Sequence, residues 1–174
     1  RYFSFAFYEA LISLIIMTII ITTTESWVPI FNENKADLLM FTTAASLSCI
    51  GTVFYVISIK NNPMGITFTL CAVSTILISL ILDFTVNNVT YNFLVFIGAA
   101  IVLISIFVIN FESFREYKNK NILGILGGIF AGSLWGIAVF FNDKALIDGN
   151  IFTGAIVRAV ISIIILGIFS EILK

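Results

Sequence analysis

The sequence predicts an all-α membrane protein, a polytopic helical bundle, and three observations carry that prediction. Hydrophobic residues make up 60% of the 174-residue chain and charged residues only 11%, where a soluble domain is nearer half apolar and a quarter charged. Apolar runs near twenty residues long recur between short polar breaks, and about 20 such residues in a helix cross roughly 30 Å of hydrocarbon. No stretch alternates polar and apolar residues as a barrel strand would, so helices are left to satisfy the backbone in lipid.

Six runs qualify as spans: residues 3–22, 38–58, 65–82, 91–109, 122–141 and 151–172. Their separators are turn formers: Asn61-Asn62-Pro63, Asn87-Asn88, the charged stretch 112–121, and Asp148-Gly149-Asn150. The linker 23–37 is the only one with room for a surface element, and Trp27 in it suits an interfacial anchor.

The net charge of −1 leaves no basic stripe of the kind nucleic acid requires, so no nucleic-acid partner is expected. Histidine is absent, which removes His-based triads and His-containing zinc motifs. Cys49 and Cys71 lie inside apolar runs and read as small packing residues. No metal ligands, cofactor motif or catalytic residues are identified. The partners expected are the lipid bilayer and a small-molecule solute, and a homo-oligomer is left open. Arg1, Lys60, Arg115, Lys118, Lys120 and Lys174 fall on one side of the membrane, against Lys35 and Lys144 on the other. The positive-inside rule then places the 112–121 loop in the cytoplasm.

Within the spans, the sharpest pattern is Gly124, Gly128, Gly132 and Gly136, which share one helix face and form a ridge without side chains. Such a ridge lets another helix approach closely, as static packing or as a surface for relative motion. Glu9 and Arg158 are the ionisable residues at hydrocarbon depth, each costing about 2.5–3.5 kcal/mol at a helix centre. They are candidates to line a substrate pathway, with headgroup anchoring as the other reading for Arg158. Trp135, mid-run beside Gly136, either lines a cavity or packs on glycine. Most hydroxyls of runs two and three, Thr42 to Thr52 and Thr67 to Ser79, are expected to bond the preceding turn's carbonyls, while a few facing inward would suit recognition of a polar solute. Arg1 and Arg158, 157 residues apart in similar runs, fit an internal repeat of five helices.

The stretch Gly124-Ile-Leu-Gly-Gly-Ile-Phe-Ala-Gly-Ser-Leu-Trp-Gly136, with Asp143-Lys-Ala-Leu146 after it, resembles the opening helix of an EamA-type repeat of the drug/metabolite transporter superfamily. Gly154-Ala-Ile-Val-Arg158-Ala resembles that repeat's next helix, Phe54 to Lys60 with Pro63 its third-to-fourth hairpin, and Phe96-Ile-Gly98-Ala-Ala its closing helix. Two features depart from the pattern. Val86-Asn87-Asn88-Val89 stands where a Gly-Glu pair is usual, and no proline lies near Thr75. The resemblance implies two inverted five-helix repeats: residues 1–111 hold helices two to five of the first, 112–121 the inter-repeat loop, and 122–174 the first two helices of the second. The chain is then expected to be a fragment of a ten-helix plasma-membrane transporter. The family's usual orientation puts the inter-repeat loop outside, opposite to the charge count. With scattered carboxylates and no histidine, an enzyme is not expected.

Overall fold

The computed structural model describes residues 2–24, 27, 30, 33–116 and 121–172. Arg1, Lys118, Lys120 and Lys174, which enter the charge count and the repeat echo, lie outside the described residues, as do residues 25, 26, 28, 29, 31 and 32 of the linker 23–37.

The helices given in full by the described residues are α1 (Tyr2–Thr23), α2 (Lys35–Asn61), α3 (Met64–Thr85), α4 (Phe93–Ile109), α5 (Phe111–Glu116), α6 (Ile122–Ala145) and α7 (Ile151–Ile172). No strand occurs among the described residues. Among the described residues, five helices are long and apolar enough to cross a membrane: Ser4–Thr23, Lys35–Asn61, Met64–Thr85, Ile122–Ala145 and Ile151–Glu171. The fourth apolar run, expected as a sixth span over 91–109, is shorter. It forms 17 residues of helix, about 25 Å at 1.5 Å per residue.

Asparagine sets most of the helix starts. The side-chain oxygens of Asn34, Asn92, Asn121 and Asn150 each accept from the backbone N–H two residues on, at 3.2, 3.2, 3.0 and 2.8 Å. Each cap satisfies a donor that a helix start otherwise leaves exposed to an apolar solvent. This explains why α4 begins at Phe93 and not at Tyr91. Between α2 and α3 the turn is only Asn62-Pro63. Pro63 has no N–H to extend α2, and its carbonyl receives the Ile66 and Thr67 N–H groups that open α3.

The chain forms two compact units, Arg1–Cys49 with Ala138–Lys174, and Ile50–Ile137. Both α2 and α6 contribute residues to each. In the first unit α1 packs on α7, with Phe7 against Gly167. Here α2 and α7 run parallel. Phe41 lies against Gly154 and Cys49 Sγ is 3.3 Å from Ser162 Oγ, two contacts with the same spacing of 113 residues.

In the second unit α6 packs on α3 and on the C-terminal half of α2. The α4 helix has no buried residue, and Gly98 at its middle has nothing within 4 Å of the place a Cβ would occupy. An apolar helix with no buried residue is stable only in an apolar solvent, which is what a bilayer supplies.

The α3–α4 turn is tied by Asp83. Tyr91 Oη donates to one carboxylate oxygen at 2.7 Å and Asn87 Nδ2 to the other at 2.9 Å. Asn88 turns the chain with φ +50°, a left-handed conformation that asparagine tolerates. The bond to Asp83 pushes the Tyr91 hydroxyl up to about 12 from 10, with desolvation and the carboxylate's charge acting in the same direction. Because the folded value is raised, this contribution to stability is complete below pH 10 and is lost as pH rises through 12. Absorbance titration at 295 nm is expected to show one tyrosine ionising last, near pH 12, and Tyr91→Phe to remove that step.

Candidate functional site

Two polar seams run through the helices, one in each unit. In the unit Ile50–Ile137 the glycine ridge of α6 meets α3. The carbonyls of Gly128, Gly132 and Gly136 accept from Cys71 Sγ (3.2 Å), Thr75 Oγ1 (3.0 Å) and Ser79 Oγ (3.4 Å). Each pair is separated by 57 residues. A constant spacing means that the two helices run in the same direction in fixed register, one rung per turn.

The next rung is relayed. Ser58 Oγ of α2 donates to Gly124 O at 2.6 Å and sits 2.9 Å from Thr67 Oγ1 of α3. Ser58 and Thr67 are both fully buried, so this node joins three helices where water is absent.

Absence of side chains is what allows these distances. A Cβ on Gly132 would collide with the Cys71 carbonyl and lie 2.8 Å from Ser74 Cβ. On Gly128 it would stand 3.1 Å from Leu70 Cβ, and on Gly136 2.9 Å from Ile78 Cβ. On Gly124 it would collide with the Asn62 carboxamide. The opposite edge of α6 is shaped for α2. A Cβ on Gly127 would be 3.1 Å from Phe54 O, and one on Gly51 2.7 Å from the Trp135 indole edge. Trp135 is half-buried, packs on Gly51 and tilts against Tyr55 with ring centroids 5.2 Å apart. Of the two expectations for it, packing on glycine is observed, on Gly51 of α2.

In the other unit, the α2–α7 seam is lined differently. Glu33, Asp37, Phe41 and Cys49 recur at multiples of four residues and so share one side of the chain entering α2. Glu33 Oε2 accepts from Asn150 N at 3.0 Å, capping the dipole of α7 from another segment. Phe41 covers Gly154, and Cys49 meets Ser162. Asp37 is buried at 8% exposure and Thr153 at 2%. Thr153 Oγ1 has no hydrogen-bond partner among the described residues.

Glu9 and Arg158 lie on exposed faces of α1 and α7 and form no ion pair with each other. Helical side chains lean toward their own N-terminus, so each leans toward the membrane face at which its own helix starts. Sequence reasoning missed Ser58, Asp37 and Thr153, and named Thr67 only as one of the hydroxyls of runs two and three. The signal for Thr67 was present, since Thr67, Cys71, Thr75 and Ser79 repeat with the period of the glycines. Among the described residues no group of three or more His, Cys, Asp or Glu is placed to hold a metal. Both cysteines are free and buried.

No protein-family model, no curated protein and no solved structure matches the chain. The EamA-type resemblance therefore rests on the motifs alone.

The ridge makes a differential prediction. Gly132→Ala is expected to destabilise the protein by about 1–3 kcal/mol through overpacking. Gly98→Ala, in open space, should be neutral or stabilising by up to about 1 kcal/mol from helix propensity. Thermal midpoints of the two variants in one detergent compare them directly, and equal shifts would contradict the close approach.

Proposed function

We propose that the chain is a secondary carrier, or six helices of one, that moves small polar or amphipathic metabolites across the plasma membrane by alternating access. The observation that supports this most is the α2–α7 seam. Carboxylates, a buried hydroxyl and helix N-termini lie along this one helix pair. Polar groups in such a setting cost free energy and persist chiefly where a polar solute or ion must pass. The α3–α6 ladder supplies the stiff element that a rocking mechanism requires, and the EamA-type motifs agree with two inverted repeats. Glu9, Arg158 and Trp135 remain candidates for the solute path. Glu9 is the carboxylate assigned to proton coupling, although it faces outward on α1 here.

A second reading is a non-transporting assembly or sensor subunit. The exposure of most of α4, which has no buried residue, favours it, since a partner helix would find that surface free.

Proteoliposomes loaded with labelled amino acids, nucleosides or ammonium compounds separate the two readings. A carrier is expected to give saturable release of at least one class, with Glu9→Gln abolishing uptake driven by a pH gradient. Release no faster than from protein-free vesicles for every class would sink the carrier reading and leave the assembly subunit.

A further inference from the structure

We infer that Arg158, on the α2–α7 seam with Ser162 one turn deeper, binds an oxyanion, either the phosphate of a lipid headgroup or the carboxylate or phosphate of a solute. The inference deepens the carrier reading by naming the class of group that this seam would recognise.

Register places the arginine. Phe41 lies against Gly154 and Cys49 Sγ is 3.3 Å from Ser162 Oγ, two contacts with the same spacing of 113 residues. Gly154, Arg158 and Ser162 follow one another at intervals of four, so they share the side of α7 that meets α2. The same spacing sets Arg158 level with Ala45, a small residue buried at 3% exposure. The arginine side chain itself is exposed. Its charge acts on the Cys49 thiol, so the guanidinium lies near the Cys49–Ser162 contact.

No carboxylate among the described residues balances that charge. Arg158 makes no ion pair, with Glu9 or with any other described residue. On α7 no acid stands three or four residues from it. On α2 the carboxylate nearest in sequence to Ala45 is Asp37, eight residues back and about 12 Å along the axis. Arg158 lies seven residues beyond Ile151, about 10 Å into the span, and its side chain leans back toward the start of α7. The charge is thus held between hydrocarbon and headgroups, where an unpaired cation is costly and a bound anion offsets the cost.

The donor set selects an oxyanion. A guanidinium carries five N–H donors in a planar fork and no acceptor, and it takes carboxylate and phosphate through two parallel hydrogen bonds. Ser162 contributes a third donor, because its hydroxyl hydrogen is free for an anion when the Cys49 thiol donates to its oxygen. Residues four apart on a helix have Cβ atoms about 6 Å apart, so one phosphate or carboxylate group spans both side chains.

Equilibrium dialysis of the purified full chain in non-ionic detergent against ³²P-phosphate and ¹⁴C-benzoate tests this without any flux. Native mass spectrometry of dioleoylphosphatidylglycerol adducts, with dioleoylphosphatidylcholine as reference, supplies the lipid arm. Wild type is expected to bind at least one of the three anions saturably. A soluble anion that binds identifies a solute as the source, and phosphatidylglycerol alone identifies the lipid. Arg158→Gln should weaken that binding at least tenfold and Ser162→Ala several-fold, while Arg158→Lys keeps part of it as a point charge without the fork. Thermal midpoints close to wild type would show the variants folded. Binding of none of the anions, or unchanged affinity in folded Arg158→Gln, would overturn the site. Should that variant not fold, unchanged affinity in Ser162→Ala would overturn it. Binding that needs Arg158 but is accompanied by no flux of any solute would refute the carrier reading and leave the site standing.

Discussion

In lipid the hydrophobic effect does not press helices together, because tails are as apolar as leucine. What joins α3 to α6 must therefore be shape and hydrogen bonding, and both come from one constraint, the absence of side chains at Gly124, Gly128, Gly132 and Gly136. With those positions bare, the α6 carbonyls come within reach of short donors on α3, and Cys71, Thr75 and Ser79 occupy them turn by turn. Longer side chains on either helix would separate the backbones and break every rung at once. The second face of α6 uses the same device toward α2, where Gly127 meets the Phe54 carbonyl and Gly51 receives Trp135.

Hydroxyl groups in the spans divide by whether they serve their own helix or a neighbour. Thr42, Thr43, Ser46 and Thr69 bond the carbonyl four residues back, as expected from sequence. Thr75 does both, with Cys71 O at 2.8 Å and Gly132 O at 3.0 Å. Ser58 and Thr67 are spent on each other and on Gly124. Against this background of near-complete satisfaction, the orphan hydroxyl of Thr153 stands out. The two units thus divide their polar groups differently. One uses them to fix helices together, while the other leaves the buried hydroxyl of Thr153 without a partner among the described residues.

Much of the fold was legible from residue types. The all-α membrane architecture followed from apolar runs, and the glycine face from its period of four. Helix ends were less legible. The α6 helix continues through Asn142-Asp143-Lys144 to Ala145, beyond the apolar run that defined it, because backbone bonding is indifferent to hydropathy. The fourth run lost Tyr91 to the Asp83 bond and Asn92 to a cap. The partner of the glycine face and the α2–α7 contacts Phe41–Gly154 and Cys49–Ser162 were not legible, because both depend on which helices pair. Those pairings join residues 57 and 113 apart, and no local pattern encodes them. Glu9 and Arg158 drew attention as isolated charges in apolar runs, yet both face outward. The more buried acid, Asp37, was hidden among polar neighbours at a helix start.

The central claim is that α3 and α6 run parallel in one register, and spin-label distances test it most directly. Labels would be placed at exposed positions of one unit, as the pairs Met64→Cys with Ile122→Cys and Ile81→Cys with Ile122→Cys. Native Cys49 and Cys71 would be replaced by alanine and serine, the latter keeping a donor in the ladder. Parallel register puts Met64 level with Ile122 and Ile81 about 25 Å further along the axis, from 17 residues at 1.5 Å each. The account predicts a short first distance and a long second one. The reverse order would mean antiparallel helices, and the ladder and the glycine contacts that depend on it would fall.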